Sequence, residues 1–325
     1  MEAYLGIDVG SVSTNLALVD EEGRALETLY LRTQGKPVQV VQEGLRLLEQ
    51  AIPADLRIAG AGSTGSARQL VGVVIGADVV KNEITAHAVA ALHLAPDVRT
   101  VFEIGGQDSK IIILRDGIVV DFAMNTVCAA GTGSFLDHQA TRLGIPIERF
   151  GDLALVARNP VRIAGRCGVF AESDMIHKQQ EGHRLEDIVA GLCEALVRNY
   201  LNNVGKGKDI RPPVYFQGGV AANTGIRWAF ERALGYPVIV PEHHKVMGAI
   251  GAALLAREAM ARERRQTSFR GWAVSEVECT TGSFECQGCP NRCEVVQVWL
   301  AREIIARWGD RCGKWSELPV VLPAG

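Results

Sequence analysis

An acid-and-glycine turn set between strands occurs twice in this chain, and a duplication of that kind leaves few folds open. Residues 4–8 read as a short buried strand, Val9-Gly10-Ser11 as a turn, and residues 14–19 and 25–32 as two further strands. Helical spacing follows over 38–50, at Val38, Val41, Leu45 and Leu48. A strand at 56–59 and an alanine-rich helix at about 81–94 close the first half. The order then restarts. Residues 100–104 form a strand, Gly105-Gly106-Gln107-Asp108 a turn, and 110–114 and 118–123 two more strands. Helices are predicted at 133–143, 169–180, 185–203, 223–234 and 246–262, with strands at 214–217 and 238–240. Two successive halves of this type make a duplicated α/β fold, with a nucleotide expected in the cleft between them.

Composition narrows the function classes. The chain has 325 residues, 47% hydrophobic and 22% charged, which is ample for a soluble core. A net charge of −3 gives no reason to expect nucleic acid or a membrane surface as partner. The opening residues lack a basic stretch before an apolar run, and no apolar run is long enough to span a bilayer. A cytoplasmic location is therefore expected, where the eight cysteines serve metal or redox roles rather than disulfides. Five of them (Cys279, Cys286, Cys289, Cys293 and Cys312) lie after residue 270, as do four of the five tryptophans. That shift places a boundary near the charged run Arg262-Glu263-Arg264-Arg265. The expected domains are 1–97, 98–265 and a cysteine-rich tail, 266–325.

The first turn, Asp8-Val9-Gly10-Ser11-Val12-Ser13-Thr14, offers backbone N–H groups and hydroxyls to phosphate, with Asp8 placed to hold Mg2+ through water. Its counterpart, Glu103-Ile104-Gly105-Gly106-Gln107-Asp108-Ser109-Lys110, has glycines for close backbone approach, and Gln107 can orient an attacking water. Gln217-Gly218-Gly219-Val220-Ala221-Ala222-Asn223 sets a glycine pair between strand and helix, over which a nucleoside can lie. Gly60-Ala61-Gly62-Ser63-Thr64-Gly65 spells a dinucleotide fingerprint after a strand. Residues 66–71 give under two helical turns before a glycine, so no crossover helix supports that reading. No Gly-x-x-x-x-Gly-Lys-Ser/Thr occurs, which excludes a P-loop.

Two further stretches each put a cysteine just ahead of a predicted helix: Cys128-Ala129-Ala130-Gly131-Thr132-Gly133-Ser134 and Gly165-Arg166-Cys167-Gly168-Val169-Phe170-Ala171-Glu172-Ser173. A helix N-terminus favours a thiolate or an anionic cofactor. Two thiolates cannot close an iron–sulfur cluster, which takes four, but a two-fold dimer brings the second pair. Small buried residues are the plain alternative for both, and Cys193, on an apolar helix face, is read that way. In the tail, Cys286-x2-Cys289-x3-Cys293 with the distant Cys312 is a four-thiolate pattern for iron–sulfur or zinc. The seven histidines are scattered and form no ligand set.

Gly6-Ile7-Asp8-Val9-Gly10-Ser11, Glu103 to Asp108, Cys128 to Gly133, Cys167 with Val169 to Ser173, and Gly218-Gly219-Val220-Ala221 together resemble the BadF/BadG/BcrA/BcrD ATPase family, over about residues 3–260. Within it the likeness is strongest to activators of 2-hydroxyacyl-CoA dehydratases. The resemblance implies a duplicated actin/sugar-kinase-like (ribonuclease H-like) ATPase fold and Mg-ATP held at Gly10, Ser11, Ser13, Thr14, Gly105, Gly106, Asp108, Lys110, Gly131, Gly133, Gly218, Gly219, Val220 and Asn223. Asp8, Glu103 and Gln107 would be the hydrolytic residues. It further implies a homodimer with one [4Fe-4S] cluster on Cys128 and Cys167 of each subunit. The expected partners are an iron–sulfur acceptor enzyme of the dehydratase or reductase type and a ferredoxin or flavodoxin donor. Two features depart from the family pattern. Glu103 stands where Asp is commoner, and the tail resembles a piece of longer, multi-domain activators. A small-molecule kinase or a non-redox ATPase of the same fold are the rival readings.

Overall fold

Strands that pair antiparallel in threes and are then joined by parallel returns build the same sheet twice. In the computed structural model, which describes residues 1–125 and 128–316, the chain divides into two compact units: residues 1–82 with the chain from 248 onward, and residues 83–247. In the first, β1 (Glu2–Val9) pairs antiparallel with β2 (Ser13–Val19), and β2 with β3 (Ala25–Arg32). After α1 (Pro37–Ala51), β4 (Arg57–Thr64) returns parallel to β1, and after α2 (Arg68–Ile75) comes the short β5 (Val79–Val80). The order is β3-β2-β1-β4-β5.

The second unit opens with α3 (Glu83–Leu94) and repeats the pattern with β6 (Thr100–Ile104), β7 (Ser109–Arg115) and β8 (Ile118–Asn125). A helical stretch follows: α4 (Gly133–Leu143), α5 (Phe150–Leu155), α6 (Gly168–Gln180) and α7 (Leu185–Asn203). The chain then re-enters the sheet at β9 (Val214–Gln217), parallel to β6, and after α8 (Thr224–Leu234) at β10 (Val238–Ile239). The order β10-β9-β6-β7-β8 is that of the first sheet, strand for strand. α9 (Met247–Glu263) brings the chain back to the first unit, where β11 (Cys279–Glu285), β12 (Glu294–Leu300) and β13 (Glu303–Trp308) form a three-stranded antiparallel sheet.

Burial explains the sheet order. The central strands β1 and β6 are buried almost throughout, while the edge strands β3 and β8 are only partly buried or exposed. Gly6 on β1 and Gly62 on β4 face each other in register, and a Cβ on them would stand 1.8 Å from Ala249 O and 2.1 Å from Ala252 O. The alanine-rich α9 therefore rests directly on backbone. Gly60 and Gly62, the start of the dinucleotide-like fingerprint, lie inside β4 and serve this packing. The crossover helix denied to this stretch from sequence is present: α2 is longer than expected and leads to β5, parallel to β4. The helix runs on through Gly72 to Ile75, because Gly72 leaves room for Val80.

The tail is not an appendage. Val274, Val298, Leu300 and Ile305 belong to the same buried cluster as Val41 and Leu45 of α1 and Val71 and Val74 of α2. Gln42 Nε2 donates to the carbonyls of Val274 and Val277, at 3.0 and 2.8 Å. The division also differs from the expected boundaries in two helices: α3 goes with the second unit and α9 with the first. Asp78 ties down the segment that follows α9. Its fully buried carboxylate accepts from Ala61 N, Ser268 N, Thr267 Oγ1 and Arg265 Nη1 at 2.6–2.9 Å. Burial alone would raise this carboxyl, but these donors hold it below the usual carboxylate range.

Two outcomes follow. Gly62→Ala drives a methyl into the α9 backbone and lowers unfolding stability by about 1–3 kcal/mol, read by urea denaturation. Because the folded Asp78 carboxyl is depressed, its stabilising contribution is complete above the unfolded pKa and is lost as pH falls through the folded one. Asp78→Asn lowers stability at neutral pH and flattens its fall below pH ~4, measured by denaturation across pH.

Candidate functional site

Each sheet carries its acid at the C-terminal end of the central strand, where the chain turns back. In the first unit Asp8 is partly exposed. Gly65 packs beside it, since a Cβ there would come within 2.6 Å of Asp8 Oδ1. The turn is closed by Gly10 N donating to Ser13 O at 2.8 Å and Thr33 Oγ1 donating to Gly10 O at 2.9 Å. Ser11 is exposed and Ser13 partly so. Thr14 is fully buried, its hydroxyl 3.0 Å from that of Thr33, and it braces the turn from behind.

In the second unit the turn is held by Gly105 N donating to Asp108 O at 3.0 Å, with Gln107 exposed at its tip. Lys110 points inward. Its side chain is 3% exposed, and its ammonium sits 2.7 Å from Glu103, 2.9 Å from Asp108 and 3.5 Å from Glu83. Burial alone would lower its pKa, but Glu103, Asp108 and Glu83 hold it above the ordinary value, so it stays protonated. Burial pushes the Glu103 carboxyl up, against the pull of Lys110. The extra methylene of Glu103 is what brings its carboxylate onto Lys110. A strand-end lysine could not have been assigned to this cage from its position alone.

Two other loops reach the same turn. Gly133 N and Ser134 N, the first amides of α4, donate to Gly105 O and Gly106 O at 2.9 and 2.8 Å. Gly218, at φ 88°, approaches so closely that a Cβ would stand 2.4 Å from Ile104 O and 2.7 Å from Glu103 Oε1. A short 3-10 turn, Gly219–Ala222, leads to Asn223, whose side chain caps α8 by accepting from Ile226 N at 3.1 Å. Val220 is buried. Gly105, Gly106, Asp108, Gly133, Gly218 and Glu103 are thus gathered, while Lys110 and Asn223 are committed to internal partners.

The cysteine stretches also meet. Asn125 clamps Cys128 by accepting from its amide at 3.0 Å and donating to its carbonyl at 2.8 Å. Cys128 precedes a 3-10 turn, Ala129–Gly131, that runs into α4; Cys167 caps α6. Both thiols are partly exposed, and Cys128 Sγ lies 3.9 Å from Arg166 O, next to Cys167. Asn199 on α7 touches both loops, donating to Gly165 O at 2.6 Å and lying 3.7 Å from Cys128 Sγ. Sequence reading missed it, because one asparagine in an apolar helix leaves no periodic signal. Cys193 is fully buried, its thiol pushed up by burial, in line with a plain core role.

The tail cysteines stand near one end of the small sheet, Cys286, Cys289 and Cys293 between β11 and β12 and Cys312 beyond β13. The Trp315 indole N–H, at 3.3 Å, and the Gly288 amide, at 3.4 Å, hold the Cys286 thiol below its ordinary value. Among the described residues no three His, Cys, Asp or Glu side chains converge as a metal site, there or elsewhere. Nor is any described helix long and apolar enough to cross a membrane.

The comparisons with known proteins agree with this geometry. A profile of the BadF/BadG/BcrA/BcrD ATPase family matches residues 5–256. The (R)-2-hydroxyglutaryl-CoA dehydratase activating ATPase of Acidaminococcus fermentans is 35% identical over 266 residues, 79% of this chain and 98% of that one. Its crystal structure, component A of the dehydratase, superposes with a TM-score of 0.73 at 31% identity, over 80% of this chain and 100% of its own. The activator of the 2-hydroxyisocaproyl-CoA dehydratase from Clostridium difficile with bound ADPNP gives 0.72 at 31% identity, over 81% and 97%. The fold is therefore the duplicated actin/sugar-kinase-like one.

Replacing the caged cation tests the second turn directly. Lys110→Met strands Glu103, Glu83 and Asp108 without their counter-ion and costs about 3–5 kcal/mol of stability, read as a fall in thermal midpoint.

Proposed function

The chain belongs to the BadF/BadG/BcrA/BcrD ATPase family, and on that premise we propose that it is an ATP-dependent activator whose hydrolysis of ATP drives a low-potential electron into a partner iron–sulfur enzyme of the 2-hydroxyacyl-CoA dehydratase or related reductase type. ATP and water become ADP and phosphate, and one electron passes from a reduced donor of the ferredoxin or flavodoxin class to the partner. The observation that carries the reading is a junction inside the second unit. The Gly105-Gly106 carbonyls accept from the first amides of α4, and Cys128, just ahead of that helix, lies with its sulfur 3.9 Å from Arg166 O of the Cys167 loop. A change at a phosphate-bearing turn would thus be passed to the start of α4 and on toward Cys128.

In this reading Asp8 holds Mg2+ through water, and the Ser11 and Ser13 hydroxyls take phosphate oxygens in the first turn, where Gly10 leaves room for close approach. In the second, the Gly106 amide does so, Gly105 leaves room for close approach, Asp108 stays paired with Lys110, and exposed Gln107 orients the attacking water. Gly218, Gly219 and Val220 bear the nucleoside. Glu103 and Lys110 act together, fixing the shape and charge of the second turn.

Cys128 and Cys167 fit a cluster-ligand pair: two partly exposed thiols on adjoining glycine-bearing loops, with a neutral amide aimed at one sulfur. Two thiols per chain call for a second copy of the chain to supply the others. A [4Fe-4S] cluster held by these four residues would supply one-electron transfer at low potential.

Anaerobic purification provides the test. The expected product is brown and bleached by dithionite, with about four irons per two chains. Cys128→Ala removes the colour but leaves nucleotide binding. Asp8→Asn keeps the colour and slows ATP hydrolysis roughly a hundredfold, the scale of losing a metal's charge stabilisation. A colourless protein that phosphorylates a small molecule would overturn the proposal in favour of a kinase.

A further inference from the structure

The cysteine pair depends on one buried amide. Asn199 lies on α7 among Leu192, Ala195, Leu196 and Tyr200, and only 1% of it is exposed. An amide in such surroundings costs free energy unless its polar atoms find partners. Here they do, and the partners come from two separate loops. Nδ2 donates to Gly165 O at 2.6 Å and stands 3.5 Å from Arg166 O and 3.7 Å from Cys128 Sγ. Oδ1 accepts from Asn203 Nδ2 at 2.8 Å. The orientation of the amide follows from its neighbours, because two carbonyls can face only the NH2 end. On the other side Gly131 is pressed against Oδ1, where a Cβ would stand at 2.7 Å. A single side chain therefore sets the Cys128 loop, through its sulfur and Gly131, against the Cys167 loop, through Gly165 and Arg166.

We propose that Asn199 is the positioning residue of the cysteine pair, fixing the approach of the two loops and donating an N–H to the Cys128 sulfur so as to raise the reduction potential of the cluster bound there. The inference rests on the cluster reading above. Its sign follows from electrostatics: reduction adds negative charge to the cluster and its sulfurs, and a donor aimed at sulfur stabilises the more negative state. Asn203, one turn further along α7, holds the amide in the orientation that keeps its donors on the loops.

The test uses the full chain, purified anaerobically as wild type, Asn199→Leu and Asn203→Ala, with iron and sulfide counts, a redox titration followed by electron paramagnetic resonance, and thermal melts. Leucine is nearly isosteric with asparagine and neutral, so it removes the donor without adding charge. Asn199→Leu is expected to bind less iron and to have a more negative midpoint. The reduced-to-oxidised ratio at fixed potential should fall about tenfold, or 59 mV for a one-electron couple. Asn203→Ala keeps the donor but frees the amide to turn, and should shift the midpoint the same way by less. A purely structural role would lower the melting temperature of both variants and leave the midpoint of whatever cluster remains at the wild-type value, which overturns the inference. If Asn199→Leu does not fold, the Asn203→Ala midpoint decides: shifted supports, unshifted overturns. A wild-type protein without iron would sink the cluster reading itself and this inference with it, whereas a loaded wild type with unshifted variants sinks the inference alone.

Discussion

Burying an ammonium group is expensive, and the second unit does so at the point where its turn must keep one shape. Desolvation of Lys110 is offset because Glu103, Asp108 and Glu83 reach it from β6, from the turn and from α3. Those three elements cannot separate without stranding a charge. The turn thereby gets a fixed backbone, and the rest of the site is hung on that backbone. Gly218 can press against Glu103 and Ile104, and α4 can begin on the Gly105 and Gly106 carbonyls, only because these atoms do not move independently. The first unit meets the same need with hydroxyls, Thr33 donating to Gly10 O and Thr14 bonding Thr33 from behind.

Much of this architecture is legible in the residues themselves. Strand periodicity recovers the two five-stranded sheets apart from the two-residue β5, since β1 and β6 are short runs ending in an acid and glycine, a pattern local to the sequence, but it misses the tail sheet β11–β13. The positions of Cys128 and Cys167 ahead of α4 and α6 are legible for the same reason. What cannot be read is whatever depends on long-range approach. Gly60 and Gly62 look like a dinucleotide fingerprint because spacing alone does not tell a loop glycine from a strand glycine that admits α9. α5 (Phe150–Leu155) is too short to develop a helical period. The tail looks separable because its cysteines and tryptophans change the composition. Yet its Val298 and Leu300 are spent on the first unit's core.

Lys110 and Asn199 show a second limit. Each is a polar residue in an apolar element, and pattern reading has two poor choices for such a residue, surface or site. Lys110 looks like a phosphate ligand and is found against three carboxylates. Asn199 looks like nothing and joins two loops. The distinction lies in which other groups arrive nearby, and those arrive from far along the chain: Glu83 for one, Gly165 and Gly131 for the other. A buried polar group must be satisfied wherever it stands, so its partners reveal its role better than its position does.

That rule also bears on how the two parts of the site in the second unit are joined. Side chains can change rotamer without moving the backbone, so a contact made only by side chains would transmit little. The link from the Gly105-Gly106 turn to α4 is made of peptide groups, two amides donating to two carbonyls, and it is continued by Thr132 Oγ1 donating to Ala129 O at 2.7 Å. Asn125 then holds Cys128 by both its amide and its carbonyl. The first step joins main chain to main chain, and the later ones tie a short side chain to main chain at each end of the Cys128 loop, so a displacement of the turn either shifts α4 or breaks a bond. Breaking one inside a protein costs about 1–3 kcal/mol, whereas shifting the start of a helix along with its anchor costs less when both ends stay paired. The cheaper response is for the Cys128 loop to follow the turn.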